Sequence, residues 1–210
     1  MAFRRKPRKG DGPIYEVLRN QVLTLVPHEV GPAPTADLPS VFGFVMDMAY
    51  PTGTATLVAV ADGATSLYTS SGGGMIGGGG HAAVASANRS LLATANAHLD
   101  WFQPANRDAL EPLPAAGRTR MTVLTYEGPR AVEAPEDDFG YERHPASEVF
   151  RAAQSVITAL RVMEEVATAS ASLPDDATPL MAAAFSGNFE AASVLVANDD
   201  PIDARDVDGY

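Results

Sequence analysis

Residues 41–70 read VFGFVMDMAYPTGTATLVAVADGATSLYTS, and they decide the fold. The segment 41–49 is rich in aromatic and β-branched residues and reads as a strand. Pro51-Thr52-Gly53 is turn chemistry. Residues 54–61 (TATLVAVA) form a second apolar run, and Asp62-Gly63 is the dipeptide that most favours a type I′ hairpin turn. Residues 64–70 return as a third strand. Turns this short leave room only for antiparallel neighbours. A three-stranded meander is therefore the expected nucleus of the domain.

Outward from this meander the pattern changes period. Residues 81–102 place Val84, Leu91, Leu92, Ala95, Leu99 and Phe102 on one helical stripe. A loop with three prolines is expected over 103–117, a strand over 119–126 (TRMTVLTY), and a turn at Glu127-Gly128-Pro129 from which 130–134 pairs back. Residues 135–140 read as an acidic loop carrying Glu136, Asp137 and Asp138. The segment 146–168 reads as a helix burying Val149, Phe150, Ala153, Val156, Ile157, Leu160 and Met163, and 169–177 as a linker. On the N-terminal side, 13–25 is expected to be a helix with Ile14, Leu18, Val22 and Leu25 on its buried face, capped by Asp11 and opened by Pro13. Four prolines make 27–39 a connector.

The order is helix, three strands, helix, two strands, helix. Amphipathic helices must bury their stripes on the sheet, so residues 11–168 are expected to form an α+β domain. Its sheet should be mainly antiparallel, with about five strands and three flanking helices. At the level of fold it is similar to roadblock, longin and profilin-like modules, with no shared motif. Roadblock domains also split their strands two and three, where this chain splits them three and two.

Composition limits the chemistry. The 210 residues contain no cysteine, which removes disulfides, thiol nucleophiles and cysteine-ligated zinc and fits a reducing cytosol. No run of about 18 apolar residues is present, so no membrane span is expected. The net charge is −11, but it is uneven. Arg4, Arg5, Lys6, Arg8 and Lys9 lie in a basic tail, residues 1–10, too poor in hydrophobes to pack. The remaining ten basic residues against all 26 acidic ones leave residues 10–210 at −16. Such a body repels nucleic-acid phosphate and steers basic proteins toward it.

The C-terminal stretch, residues 178–210, reads TPLMAAAFSGNFEAASVLVANDDPIDARDVDGY. It resembles one ankyrin repeat of 33 residues. Thr178-Pro179-Leu180 matches the opening of the repeat, with Met181 where histidine is usual. Ala182-Ala183-Ala184 supplies small packing residues, and Ser186-Gly187-Asn188 the inter-helix turn. Ala192, Val194, Leu195 and Val196 fall on the second helix, and 202–209 resembles the loop into a following repeat. Asn198 to Pro201 departs from the usual glycine-alanine turn. The resemblance implies protein binding and no catalytic residue. One repeat cannot bury its own apolar faces, so either the helix over 146–168 covers it or, the preferred reading, it opens a longer array.

Three constellations bear on chemistry. Seven of the nine residues from Gly72 to Gly80 are glycine, and Gly72, Gly74 and Gly77 satisfy the G-x-G-x-x-G spacing that cradles a phosphate at a helix N-terminus. The preceding strand lies in a hairpin, however, not in a β-α-β crossover, and no Walker lysine follows. His28, His81, His98 and His144 share no metal-ligand spacing, so no metal or cofactor is expected. Ser70 and Ser71 precede His81 without the Gly-x-Ser-x-Gly elbow of a serine hydrolase. Asp137 and Asp138 are the candidates for contact with a basic partner.

The sequence therefore points to a cytoplasmic, non-catalytic interaction protein containing an ankyrin repeat. The acidic balance either serves solubility alone or steers a basic protein partner, as for an immunity-type protein that neutralises a nucleic-acid-targeting toxin. The competing reading is a nucleotide-binding enzyme built on the Gly72–Gly80 loop.

Overall fold

A computed structural model describes residues 14–30, 33–106 and 112–170. The basic tail with Asp11 and Pro13, and the ankyrin-like stretch 178–210, lie outside the described residues.

The elements run α1 (Ile14–Leu23), α2 (Pro27–Val30), β1 (Val41–Tyr50), β2 (Gly53–Val60), β3 (Thr65–Thr69), β4 (Gly74–Ile76), α3 (Ala82–Ala97), β5 (Gln103–Pro104), β6 (Arg118–Thr125), β7 (Gly128–Pro135), α4 (Glu136–Gly140) and α5 (Ser147–Ser170). The strands form one sheet in the order β4-β3-β2-β1-β6-β7-β5, and every pairing is antiparallel. The architecture is α+β, as the hairpins require.

The central strand β1 is buried on both sides. Val41, Phe44, Met46 and Met48 face the larger core, whereas Phe42 and Val45 face a smaller one. The register against β6 shifts between Val41 and Gly43, which resets the alternation and lets both flanking phenylalanines be buried. The larger core is closed by α3 and α5. Leu91, Leu92 and Ala95 meet Val149, Ala153, Val156 and Leu160 within it. On the opposite face α1 is the helix packed among the described residues, with Tyr15 and Val22 over Phe42, Val45, Val58 and Leu124.

Several sequence expectations need correction. The sheet has seven strands, not about five. Met75 and Ile76 extend along β3 inside the glycine run, and Gln103-Pro104 pairs with Arg130 and Ala131 inside the expected loop. Both additions are short edge strands, where proline and glycine are tolerated. Two short helices, α2 and α4, join the three longer ones. The expected connector thus opens with a turn of helix at Pro27. The acidic loop is a helix because Phe139 is buried at its centre while Glu136, Asp137 and Asp138 occupy its first turn, where the helix dipole favours acids.

The turn at Asp62-Gly63 is not type I′. That turn needs a positive φ at both residues, and Glu142 is the one non-glycine residue with positive φ among the described residues. The loop instead has three residues, closed by Val60 N–H donating to Ala64 O at 2.9 Å and Gly63 N–H donating to Val60 O at 2.9 Å. The Asp62 carboxylate accepts the Ala64 N–H at 2.9 Å. Helix α3 ends at Ala97, and Phe102 is buried beyond a 3₁₀ turn.

Helix α1 keeps Val22 on its expected buried face, with Leu25 buried just beyond it and Leu18 packed against the same core, but its first turn differs. Ile14 is 64% exposed, and Tyr15, Arg19 and Val22 are the buried side chains. The cause lies on β1, where Asp47 needs a cation.

Candidate functional site

Asp47 sits in the middle of the central strand and is fully enclosed. Arg19 reaches it from α1, with Nη2 donating to Oδ2 at 2.7 Å and Nε donating to Oδ2 at 3.0 Å. The two side chains are 6% and 1% exposed. Thr56 Oγ1 donates to Asp47 Oδ1 at 2.7 Å. With that proton committed, the 2.7 Å contact between Tyr15 Oη and Thr56 Oγ1 has the tyrosine as donor. A chain Tyr15 to Thr56 to Asp47 thus converges with Arg19 on one carboxylate. Burial pulls the Arg19 guanidinium down, but hydrogen bonding to Asp47 and its charge outweigh this and hold it above its ordinary value.

The strand register extends this cluster into a row. Tyr68, Thr56, Asp47, Arg120 and Glu133 are successive cross-strand partners on β3, β2, β1, β6 and β7. At the far end Glu133 accepts Arg118 Nε at 2.7 Å and Arg120 Nη2 at 2.5 Å. Burial pushes the Glu133 carboxyl up, but hydrogen bonds and charge from the two arginines bring it below the ordinary carboxylate range. At the near end Tyr68 is 5% exposed, and its hydroxyl is the one buried side-chain polar atom without a partner among the described residues. Burial, then the charges of Asp47 and Tyr15, push this phenol above its ordinary value, so it stays neutral.

Tyr15 and Tyr68 meet edge to face, with centroids 5.7 Å apart, and both line a surface groove of about 490 Å³. Ile14, Tyr15 and Leu18 of α1 form one wall. The hairpin residues 68–74 and Ile76 form the other. Ile76 is 66% exposed, so the two isoleucines rim the groove with apolar surface. Among the described residues no charged side chain belongs to this lining.

The hairpin carries two of the three candidate glycines, Gly72 and Gly74, into the groove; Gly77 precedes a 3₁₀ turn and does not line it. Backbone packing accounts for Gly74, since a Cβ there would lie 2.3 Å from Leu67 O. The same holds for Gly79, where a Cβ would lie 1.8 Å from Gly63 O, so the glycine run lets the 3₁₀ turn Gly78–Gly80 sit on the β2–β3 turn. Within the stretch, the turn residues Gly72 and Gly73 are separated from α3 by β4 and by the 3₁₀ turn Gly78–Gly80, which ends just before the α3 N-cap His81. A phosphate in the groove would meet no lysine or arginine among the described residues of the lining. Ser70 Oγ accepts the Thr54 N–H at 2.9 Å, and Ser71 Oγ lies 3.1 Å from Thr69 Oγ1, so both serines serve the turn.

The acidic candidates lie elsewhere, on α4 after β7, toward the other edge of the sheet. Asp138 Oδ1 accepts Arg143 Nε at 3.0 Å, whereas Asp137 is exposed. Buried Phe139 fixes their presentation through a stack with Phe150 at 5.5 Å. The histidines are placed apart. His98 stacks on Trp101 at 3.7 Å, and His144 Nδ1 accepts the Ala146 N–H at 3.0 Å ahead of α5. Among the described residues no group of three His, Asp or Glu side chains converges as a metal site.

The sequence reading missed the Arg19–Asp47 cluster and the groove beside it. One signal was present: Asp47 is the one charged residue in the apolar strand 41–50. No family model, no curated protein and no solved structure matches the chain. The site is therefore read from its own geometry. No helix among the described residues is long and apolar enough to cross a membrane.

Proposed function

We propose that this chain is a non-catalytic protein-interaction protein. Its α+β domain offers the groove between α1 and the β3–β4 hairpin, and the segment 178–210, by its resemblance to an ankyrin repeat, adds a second binding surface. The observation that carries this reading is the pair of exposed isoleucines, Ile14 and Ile76, rimming one uncharged groove. Fully burying one such side chain contributes about 1.5–3 kcal/mol, and contiguous apolar surface of this kind marks interaction sites.

The preferred partner is a basic protein, brought in by the −16 charge of residues 10–210, in a cytosolic setting. Asp137, held out by the Phe139 anchor, contributes to that steering. An immunity-type protein blocking a basic toxin is the concrete form of this reading.

The test is a pull-down from the native source with the full chain and with an Ile14→Asp, Ile76→Asp double variant, at low and high salt. The expected result is a basic partner that is lost in the double variant and released as salt rises. Identical recovery by both proteins would remove the groove from the account. A partner insensitive to salt and to Asp137→Lys would remove the electrostatic part.

A further inference from the structure

The sheet separates two cores of unequal size. The larger is closed by two long helices, α3 and α5, and by strand residues from β1, β2, β6 and β7. Among the described residues the smaller has one helical cover, α1, which brings Tyr15, Arg19 and Val22 as its buried side chains. A helix of ten residues is marginal in water by itself, so α1 holds its form only through this contact. Two of its three buried side chains are polar, and a buried ion pair fixes orientation more than it adds stability. Among the described residues nothing covers Ile14 of its first turn, which is exposed at the mouth of the groove. None of the α1 side chains belongs to the larger core, so that core does not depend on α1 being in place.

From this division we infer that α1 is a releasable strap. It lifts as a unit from the sheet, starting at the groove, while the α3–α5 side stays folded. Release uncovers an apolar strip of Phe42, Val45, Val58 and Leu124 with the Asp47 carboxylate among them. The groove is then the open end of a larger covered face. This device is separate from the reading that Ile14 and Ile76 bind a partner, and it can fail or hold independently of it.

The absence of cysteine allows a clean test. Val58 lies under α1 and Val123 lies in the larger core, and both are strand valines at 1% and 0% exposure. Single variants Val58→Cys and Val123→Cys are exposed to a thiol reagent under native conditions. The expected result is that Cys at 58 is labelled about 100-fold faster or more, the difference between a local and a global opening. Adding Arg19→Lys, which weakens the hold of α1 on Asp47, should speed labelling at 58. Hydrogen exchange on the unaltered chain gives a second readout, with α1 amides exchanging through an opening that does not expose α3. Equal labelling at 58 and 123, or α1 amides as protected as those of α3, would overturn the strap.

Discussion

The two faces of the sheet are built by different chemistry. Against α3 and α5 the contacts are apolar side chains in stripes of helical period. Against α1 the contact is a row of hydroxyl, carboxylate and guanidinium groups set into a smaller apolar patch. An apolar face tolerates small errors of placement, because dispersion and burial are non-directional. A buried carboxylate does not, since it needs a cation at hydrogen-bond distance and loses much if the cation is absent. The first face therefore sets how firmly the domain holds together, and the second sets where α1 must lie.

The contrast can be broken most forcefully at Arg19. Arg19→Met leaves the Asp47 carboxylate buried without its partner and is expected to cost about 3–5 kcal/mol. The double variant Arg19→Met, Asp47→Leu should recover most of that loss. Urea unfolding of both measures it, and equal losses would mean that the pair does not act as a unit. On the other face Leu91→Ala should cost about 2–5 kcal/mol through its cavity, with no compensating second substitution.

A smaller effect is expected at Tyr68. Its hydroxyl has no partner, so Tyr68→Phe should leave stability unchanged or raise it by up to about 1 kcal/mol. A clear loss in thermal unfolding would show that the hydroxyl is in use. The raised phenol also gives a sign on the alkaline side. Its contribution is present below the unfolded tyrosine value of about 10 and is lost as pH rises above it, because only the unfolded chain ionises readily.

The smallest effect concerns Glu133. Its folded value is lowered, so its contribution is present above the unfolded carboxyl value and disappears as pH falls through the folded one. The side chain is a quarter exposed, which screens the interaction. Glu133→Gln should flatten the acid side of the stability profile slightly, read as urea midpoints across that range. An unchanged slope would show that the two arginines add nothing there.

The same contrast explains what was legible in the sequence. The stripes of 81–102 and 146–168 were readable because apolar residues alone make them, and β1, β2, β3 and β6 were readable from apolar runs between turn residues. On α1 the expected face holds at Val22 and Leu25, but Ile14 was misplaced and Tyr15 and Arg19 were missed, because a hydrophobic count passes over arginine. Strands β4 and β5 were hidden because glycine and proline bring no period of their own. The candidate glycines were visible as a spacing, but the spacing could not show that Gly74 and Gly79 are shaped by Leu67 and Gly63, which only the register brings together. The groove depended on an exposed Ile14 that the expected helix face had turned inward.

The most direct test of the interaction reading is a photo-crosslinker placed at residue 76 in the full chain and activated in the native source. The account predicts one discrete adduct with a basic protein, abolished by Ile14→Asp and absent when the crosslinker replaces Tyr141, an equally exposed residue on the turn after α4. No adduct at 76, or the same adduct from 141, would contradict it.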